Sequence, residues 1–247
     1  EIFLPEMTTE IGNYAFYNCR SLRRLHLSDR AVKLGTGMLM NCFELKRIEI
    51  LHTAGKKSGV HNLGMEVQQV EDIPLAFSPL EGPGAVARLS LPEYYDEAVE
   101  NKSAALAKSF DYYILGAGYR YRQCTQDGEV NFSEYDSIFP TMYKERNPDT
   151  VVKLAVNRLE YPYELSKEHR RQYEAYLSEH MEDAASLLLE QDDLPRLQLL
   201  GRLGVYTADN IGTAIDLASR KGKTECLSYL LDYKNSHFAV RQKTFEL

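Results

Sequence analysis

A pattern that returns at one fixed interval constrains this chain more than any other feature. Ile11-Gly12 returns as Leu34-Gly35, Asn18-Cys19 as Asn41-Cys42, and Leu22, Leu25 and Leu27 as Leu45, Ile48 and Ile50. The offset is the same in every case (11 to 34, 18 to 41, 22 to 45). Counted backwards by that offset, Leu25 and Leu27 fall on Ile2 and Leu4. The apolar-x-apolar triplets are short strands, because period 2 sends both apolar residues to one face. A fixed period of this length means a solenoid in which each unit buries its apolar face against the next. About three units are needed for stability, so further repeats are expected before Glu1.

The stretch Ile11-Gly12-x-x-Ala15-Phe16-x-x-Cys19-x-x-Leu22-x-x-Leu25-x-Leu27 resembles the BspA-like (Treponema-type) leucine-rich repeat. The second copy carries Met38 and Leu39 where the first has Ala15 and Phe16, as a drifting terminal repeat does. The resemblance covers about residues 1–51. It implies a bacterial protein with short parallel strands and a surface that binds other macromolecules.

Between residues 52 and 92, Ala54–Gly59 is a polar loop, and a short helix is expected around Met65–Asp72. Phe77-Ser78-Pro79 and Glu81-Gly82-Pro83-Gly84 act as breakers. Ala85–Leu91 is predicted to be a strand closing the solenoid, since an uncapped edge recruits other chains. Beyond Pro92 the pattern turns helical. Helices are expected over Glu93–Glu100 and Ser103–Phe110, then a hairpin pairing Tyr119–Cys124 with Glu129–Phe132 around Asp127-Gly128. Further helices are expected from a Ser133 cap to Phe139, over Val151–Leu159, and in one long stretch from Ser166 to Glu190.

Near the C-terminus, Gly212-Thr213-Ala214-Ile215-Asp216-Leu217-Ala218-x-x-x-Gly222-x-x-Glu225-x-Leu227-x-x-Leu230-Leu231 resembles an ankyrin repeat. The resemblance implies that Thr213 caps a first helix and that Leu227, Leu230 and Leu231 form the buried face of a second. The preceding residues, Met181–Leu203, keep paired apolar faces. The fold class expected is therefore α+β: a leucine-rich repeat solenoid end over 1–92, then a mostly α-helical region with ankyrin-like helix pairs over 93–247.

Catalytic and metal motifs fail on their own requirements. Gly222-Lys223-Thr224 lacks the glycine of a phosphate loop, having Leu217 at that place. Gly116-Ala117-Gly118 has Tyr121 where a dinucleotide fingerprint needs its third glycine. Asp127–Glu134 resembles half of a calcium loop, but Gln123 and Thr125 stand at its first ligand positions. Glu179, His180 and Asp183 would make an incomplete metal site, and a solvated charged face is the better account. Asp192-Asp193 before Leu194-Pro195 marks a helix start. Neither a cofactor nor a metal is expected, and the chain is read as non-enzymatic.

The net charge of −7 argues against a nucleic-acid partner. No apolar run reaches the ~18 residues of a membrane span. The four cysteines, Cys19, Cys42, Cys124 and Cys226, form no C-x-x-C and are expected to be free thiols. Free thiols lean to the cytoplasm, whereas the BspA-like resemblance implies the cell surface. Seventeen tyrosines occur and no tryptophan, ten of them between Tyr94 and Tyr163. They suit either a core whose hydroxyls reach the rim or a recognition groove. Residues between the inward apolar positions face outward along the strands, so Phe3, Arg24, His26, Arg47 and Glu49 are the candidate binding face for a protein or other macromolecule. Two other roles compete: a structural cap and link within a larger repeat protein, and an enzyme with its site in the Tyr-rich middle.

Overall fold

The structure, a computed structural model, describes residues 1–52, 58–67, 74–79, 84–92, 95–101, 109–115, 117–125, 129–142 and 147–238. Two compact units form: residues 1–146 with 157–169, and residues 147–156 with 170–247.

The first unit is built on a five-stranded sheet. Its strands are β1 (Ile2–Phe3), β3 (Arg24–Ser28), β5 (Arg47–His52), β6 (Pro74–Pro79) and β7 (Ala87–Ser90), in that spatial order. β1, β3, β5 and β6 run parallel, and β7 returns antiparallel. The register is that of the repeat: Leu25 pairs with Ile2 and with Ile48, and Leu27 with Ile50. Leu25, Leu27, Ile48, Ile50, Leu75, Phe77 and Leu89 are all buried, as the period-2 pattern predicts. On the far side of each turn, β2 (Glu10–Ile11) pairs with β4 (Lys33–Leu34) at the same offset.

Side chains and backbone both follow the period. The Asn41 amide donates to Asn18 Oδ1 at 3.0 Å, and the Thr36 amide to Asn13 Oδ1 at 3.0 Å. Asn18 and Asn41 both adopt positive φ, which asparagine tolerates better than most residues. A Cβ on Gly35 would lie 2.2 Å from the Asn13 nitrogen, so only glycine lets the second copy stack on the first.

β6 corrects the sequence reading. Phe77-Ser78-Pro79 is not a breaker but the end of a strand that pairs in parallel with β5. Ile48 pairs with Leu75 there, a longer step along the chain than the one from Leu25 to Ile48, so a third, longer repeat is present. Its turn side carries helix α1 (Val60–Glu66), which begins before the expected Met65. Most of the Ala54–Gly59 loop, residues 68–72 of the expected helix and Glu81-Gly82-Pro83 lie outside the described residues.

Further expectations fail. Tyr95–Asn101 is strand β8, where a helix was expected over Glu93–Glu100, and it pairs antiparallel with β9 (Ser109–Leu115). Of the helix expected over Ser103–Phe110 only the last two residues are described, at the start of β9; residues 93–94 and 102–108 are outside the described set. The β-branched and aromatic residues of β8 and β9 favour a pleated ribbon. Tyr119–Gln123 falls in helix α2 (Gly118–Gln123) with Cys124 as its cap, not in a hairpin, and residues 126–128 are not described. Helix α3 (Phe132–Met142) is capped by Asn131, whose Oδ1 accepts from the Glu134 amide at 3.0 Å, and not by Ser133. Pro140 sits within α3 rather than ending it.

The end of helix α4 (Pro148–Glu160) brings a buried ion pair into the first unit. Arg158 and Asp136 are both fully buried, and the guanidinium grips the carboxylate with two bonds of 2.8 and 2.9 Å. Arg158 also donates to the carbonyls of Tyr161 and Tyr163. A second buried arginine, Arg122, donates to the carbonyls of Gly64, Pro92 and Gly118, which ties α1 and α2 to the end of the sheet.

The second unit is helical. The expected single stretch from Ser166 to Glu190 is two helices, α5 (Lys167–Glu179) and α6 (Met181–Glu190), broken at His180. α7 (Leu194–Arg202), α8 (Ile211–Arg220) and α9 (Thr224–Phe238) follow. One helix ending is used three times, after α6, α7 and α8; after α7 the Val205 amide bonds the Leu200 carbonyl and Gly204 takes positive φ. The Asp193 amide bonds the Leu188 carbonyl, as Lys223 bonds Ala218, while Asp192 and Gly222 both take positive φ. This is the Schellman arrangement of helix ends. Asp193 caps α7 as expected, accepting from the Arg196 amide. Thr213 lies inside α8, which starts from Asn210. Thr207 and Asn210 bond each other reciprocally there. On α9 the buried positions are Cys226 and Leu230, whereas Leu231 is exposed.

Removing one partner of the Asp136–Arg158 pair strands a buried charge. Arg158→Met or Asp136→Asn is expected to cost about 3–5 kcal/mol in urea unfolding. The Asp136→Asn/Arg158→Met double variant is expected to lose less than the two singles together.

Burial pushes the Cys124 thiol from its ordinary 9.0 up to about 12, and raises the Tyr135 phenol as well. Both groups are held protonated in the fold. Their contribution is therefore complete below the unfolded thiol value and is lost as pH climbs toward the folded one. The melting temperature should hold steady to about pH 9 and then fall, and Cys124→Ala should blunt that fall.

Candidate functional site

Strand alternation places one set of side chains on the face opposite the core. Phe3, His26 and Glu49 pair in one cross-strand row, and Arg24 pairs with Arg47 in the next. Rows two residues apart lie about 7 Å from each other along the strands. The structure thus brings all five expected residues together on three neighbouring strands.

Their contacts form one network. The Phe3 ring stacks on His26 with centroids 4.0 Å apart and 14° between planes. His26 Nε2 lies 2.6 Å from Glu1 Oε1, and Nδ1 lies 3.1 Å from Glu49 Oε2. Arg47 reaches Glu49 at 3.5 Å and Arg24 reaches Glu1 at 3.9 Å. The hydrogen bond to His26 is the main cause that holds the Glu1 carboxyl below the usual carboxylate range, and the His26 and Arg24 charges add to it. Glu1 was missed by sequence reasoning because it precedes strand β1 and puts a carboxylate at the repeat position that Arg24 and Arg47 fill (1 to 24 to 47).

The face is accessible. Phe3 is 68% exposed, and the Arg24, Arg47 and Glu49 side chains keep 53%, 34% and 31% of their surface. At the ends of the strands, Phe3, Glu6, His26, Glu49 and Ser78 border a shallow hollow of about 240 Å³. An exposed ring, two guanidiniums and several carboxylates offer stacking and directed ionic hydrogen bonds.

The same face is closed further along the sheet. The row of Phe3, His26 and Glu49 continues as Ala76 and Arg88, which are buried. The Arg88 guanidinium lies over the Tyr161 ring at 4.4 Å and meets Glu160 at 3.2 Å. In the next row the Asn157 amide donates to Ser90 Oγ at 2.8 Å. Ala87 forms an antiparallel bridge with Pro162. Residues 157–162 thus cover both the outer face and the free edge of β7. Nothing in their own sequence marks them as a cap.

Other sequence candidates disperse. Tyr121 and Tyr135 are fully buried with rings 4.6 Å apart, and the Tyr135 hydroxyl donates to the Ser90 carbonyl, so both belong to the core. Tyr94 and the Asp127-Gly128 turn lie outside the described residues. His180 stands between two helices, with Nδ1 3.3 Å from Asp183, rather than on one helix face with Glu179. Among the described residues no group of three or more His, Cys, Asp or Glu could hold a metal ion. No described helix is long and apolar enough to cross a membrane. The four cysteines are free.

Comparison with known proteins agrees with this geometry at the N-terminus. The family model for the BspA type leucine rich repeat region matches residues 1–59. This stretch is similar to BspA-type leucine-rich repeats. The match spans the two tandem copies and reaches Gly59, whose missing side chain lets the third unit pack on the Ala31 carbonyl. No curated protein and no solved structure matches the chain.

The two faces of the BspA-like sheet should respond differently to truncation. Phe3→Ala and Arg24→Gln are expected to shift unfolding free energy by no more than about 0.5 kcal/mol. Leu25→Ala should cost about 2–5 kcal/mol. Urea titration of the three variants checks the assignment of faces.

Proposed function

We propose that this chain is a non-enzymatic repeat scaffold that binds a protein partner across the open face of β1, β3 and β5. One observation carries the reading. Phe3, Arg24, His26, Arg47 and Glu49 gather on one accessible face, while the neighbouring part of that face is sealed by residues of the chain itself. The match to BspA-type repeats supports an interaction role. The net charge of −7 supports a protein rather than a nucleic acid as partner.

In this reading residues 1–92 are the repeat end with its closing strand, and 93–247 are the helical region. The recurrence of one helix hairpin, its turn at Asp192 and again at Gly222, supports stacked, ankyrin-like helix pairs there. That spacing is shorter than the ankyrin unit of about 33 residues.

A second reading is favoured by the contacts of residues 157–162 with β7: the region after residue 92 serves to cap the repeats. Deleting residues 93–247 separates the two. Aggregation or unfolding of residues 1–92 supports the cap, and a soluble, folded fragment supports an independent module.

The binding face is tested once a partner has been isolated by cross-linking to the whole chain. The Arg24→Gln/His26→Gln/Arg47→Gln variant should raise its Kd by about tenfold or more, as expected when ionic contacts at an interface are lost. An unchanged Kd would remove this face from the interaction.

A further inference from the structure

A second hollow lies in the helical unit. It is lined by Gln198, Gly201 and Arg202 of α7 and by Tyr229, Tyr233 and His237 of α9, and it is an open hollow of about 310 Å³. On α9 the three aromatic residues are spaced four apart, so they share one helix face.

Glycine makes the hollow. A Cβ on Gly201 would fall 2.4 Å from the Tyr229 hydroxyl oxygen and 2.9 Å from the Tyr233 ring. Without it, both rings come down onto the α7 backbone, and the Tyr233 hydroxyl donates to the Gly201 carbonyl at 3.0 Å. His237 stacks on Tyr233 at 4.0 Å and 13°, with Nδ1 donating to the Tyr233 carbonyl. Tyr206 meets the same ring edge-on at 5.4 Å. The wall is therefore a fixed aromatic surface.

Three polar groups of the lining can donate to a ligand. The Arg202 guanidinium, the Gln198 amide and the Tyr229 hydroxyl make no hydrogen bond to any described residue. Burial raises the Tyr229 phenol, so its hydroxyl keeps its proton and can donate. In a chain of net charge −7, the described residues that line this hollow include no carboxylate. A guanidinium with nearby neutral donors matches the geometry of a carboxylate or phosphate. The hollow's volume sits at the small end of ligand sites.

We infer that this hollow binds a small aromatic ligand carrying an oxyanion, an aryl phosphate or aryl carboxylate. The anion sits on Arg202, Gln198 and the Tyr229 hydroxyl, and the ring lies against the tyrosine wall. The inference is independent of the sheet face and of its partner.

The test is titration of the full chain, followed by amide NMR shifts and calorimetry. Phenyl phosphate, benzoate, inorganic phosphate and benzylamine are the probes. Phenyl phosphate and benzoate should bind with Kd on the order of 1 mM or tighter, shifting the amides of Arg202 and Tyr229. Arg202→Gln, at an exposed position, should weaken phenyl phosphate about tenfold or more, and Tyr229→Phe should weaken it severalfold. Arg220→Gln, an exposed arginine on α8, should leave the affinity unchanged. Benzylamine binding as well as phenyl phosphate would overturn the anion assignment. Inorganic phosphate binding equally well would overturn the aromatic one. Full affinity in Arg202→Gln, or no binding of either aryl anion at about ten times that Kd, would overturn the site.

Discussion

The buried pair of Asp136 and Arg158 holds the rest of the first unit in order. Two charges removed from water are costly unless every remaining hydrogen-bonding position is filled. Here the guanidinium is bidentate to the carboxylate and also donates to the carbonyls of Tyr161 and Tyr163. Those extra bonds turn an electrostatic contact into a positional one, because they pin the chain just after α4. The residues that reach the sheet lie beside this anchor: Asn157 bonds Ser90, Glu160 and Tyr161 meet Arg88, and Pro162 bridges to Ala87. The closure of the last strand thus depends on a salt bridge made elsewhere.

Closure matters because a parallel ladder ends in unpaired backbone groups. The repeats meet this in two steps. β7 reverses direction and pairs with β6, and residues 157–162 then cover β7. What remains open is the outer face of three strands, where Arg24, Arg47, His26 and the glutamates are partly exposed and loosely paired. Exposed ion pairs of this kind contribute little to stability. Their arrangement is free to serve recognition instead.

The helical unit uses glycine for two different ends. Gly204 and Gly222 supply the positive φ that ends α7 and α8, a place that Asp192 fills after α6 at some conformational cost. Gly201 supplies space, and the tyrosines of α9 occupy it. Small residues at these points decide how closely the helices approach and where a hollow is left.

By itself the sequence determined whatever depends on local period. The tandem offset, the inward Leu25, Leu27, Ile48 and Ile50, and the outward Phe3, Arg24, His26, Arg47 and Glu49 all follow from alternation, which needs no tertiary information. The Asp193 cap was legible for the same reason, since a cap is a contact between near neighbours. The third repeat was hidden because its step, from Ile48 to Leu75, is longer than the others and prolines flank its strand, so period and propensity pointed away from it. The β8–β9 ribbon was hidden because Glu and Ala in Tyr95–Asn101 suit a helix as well as a strand, and only pairing with Ser109–Leu115 decides between them. Contacts across long separations were left to the tertiary structure: Glu1 on His26, Arg158 on Asp136, Tyr161 on Arg88, and Gly201 beneath Tyr229. No local rule places such partners, because each is chosen by the packing of elements far apart in the chain.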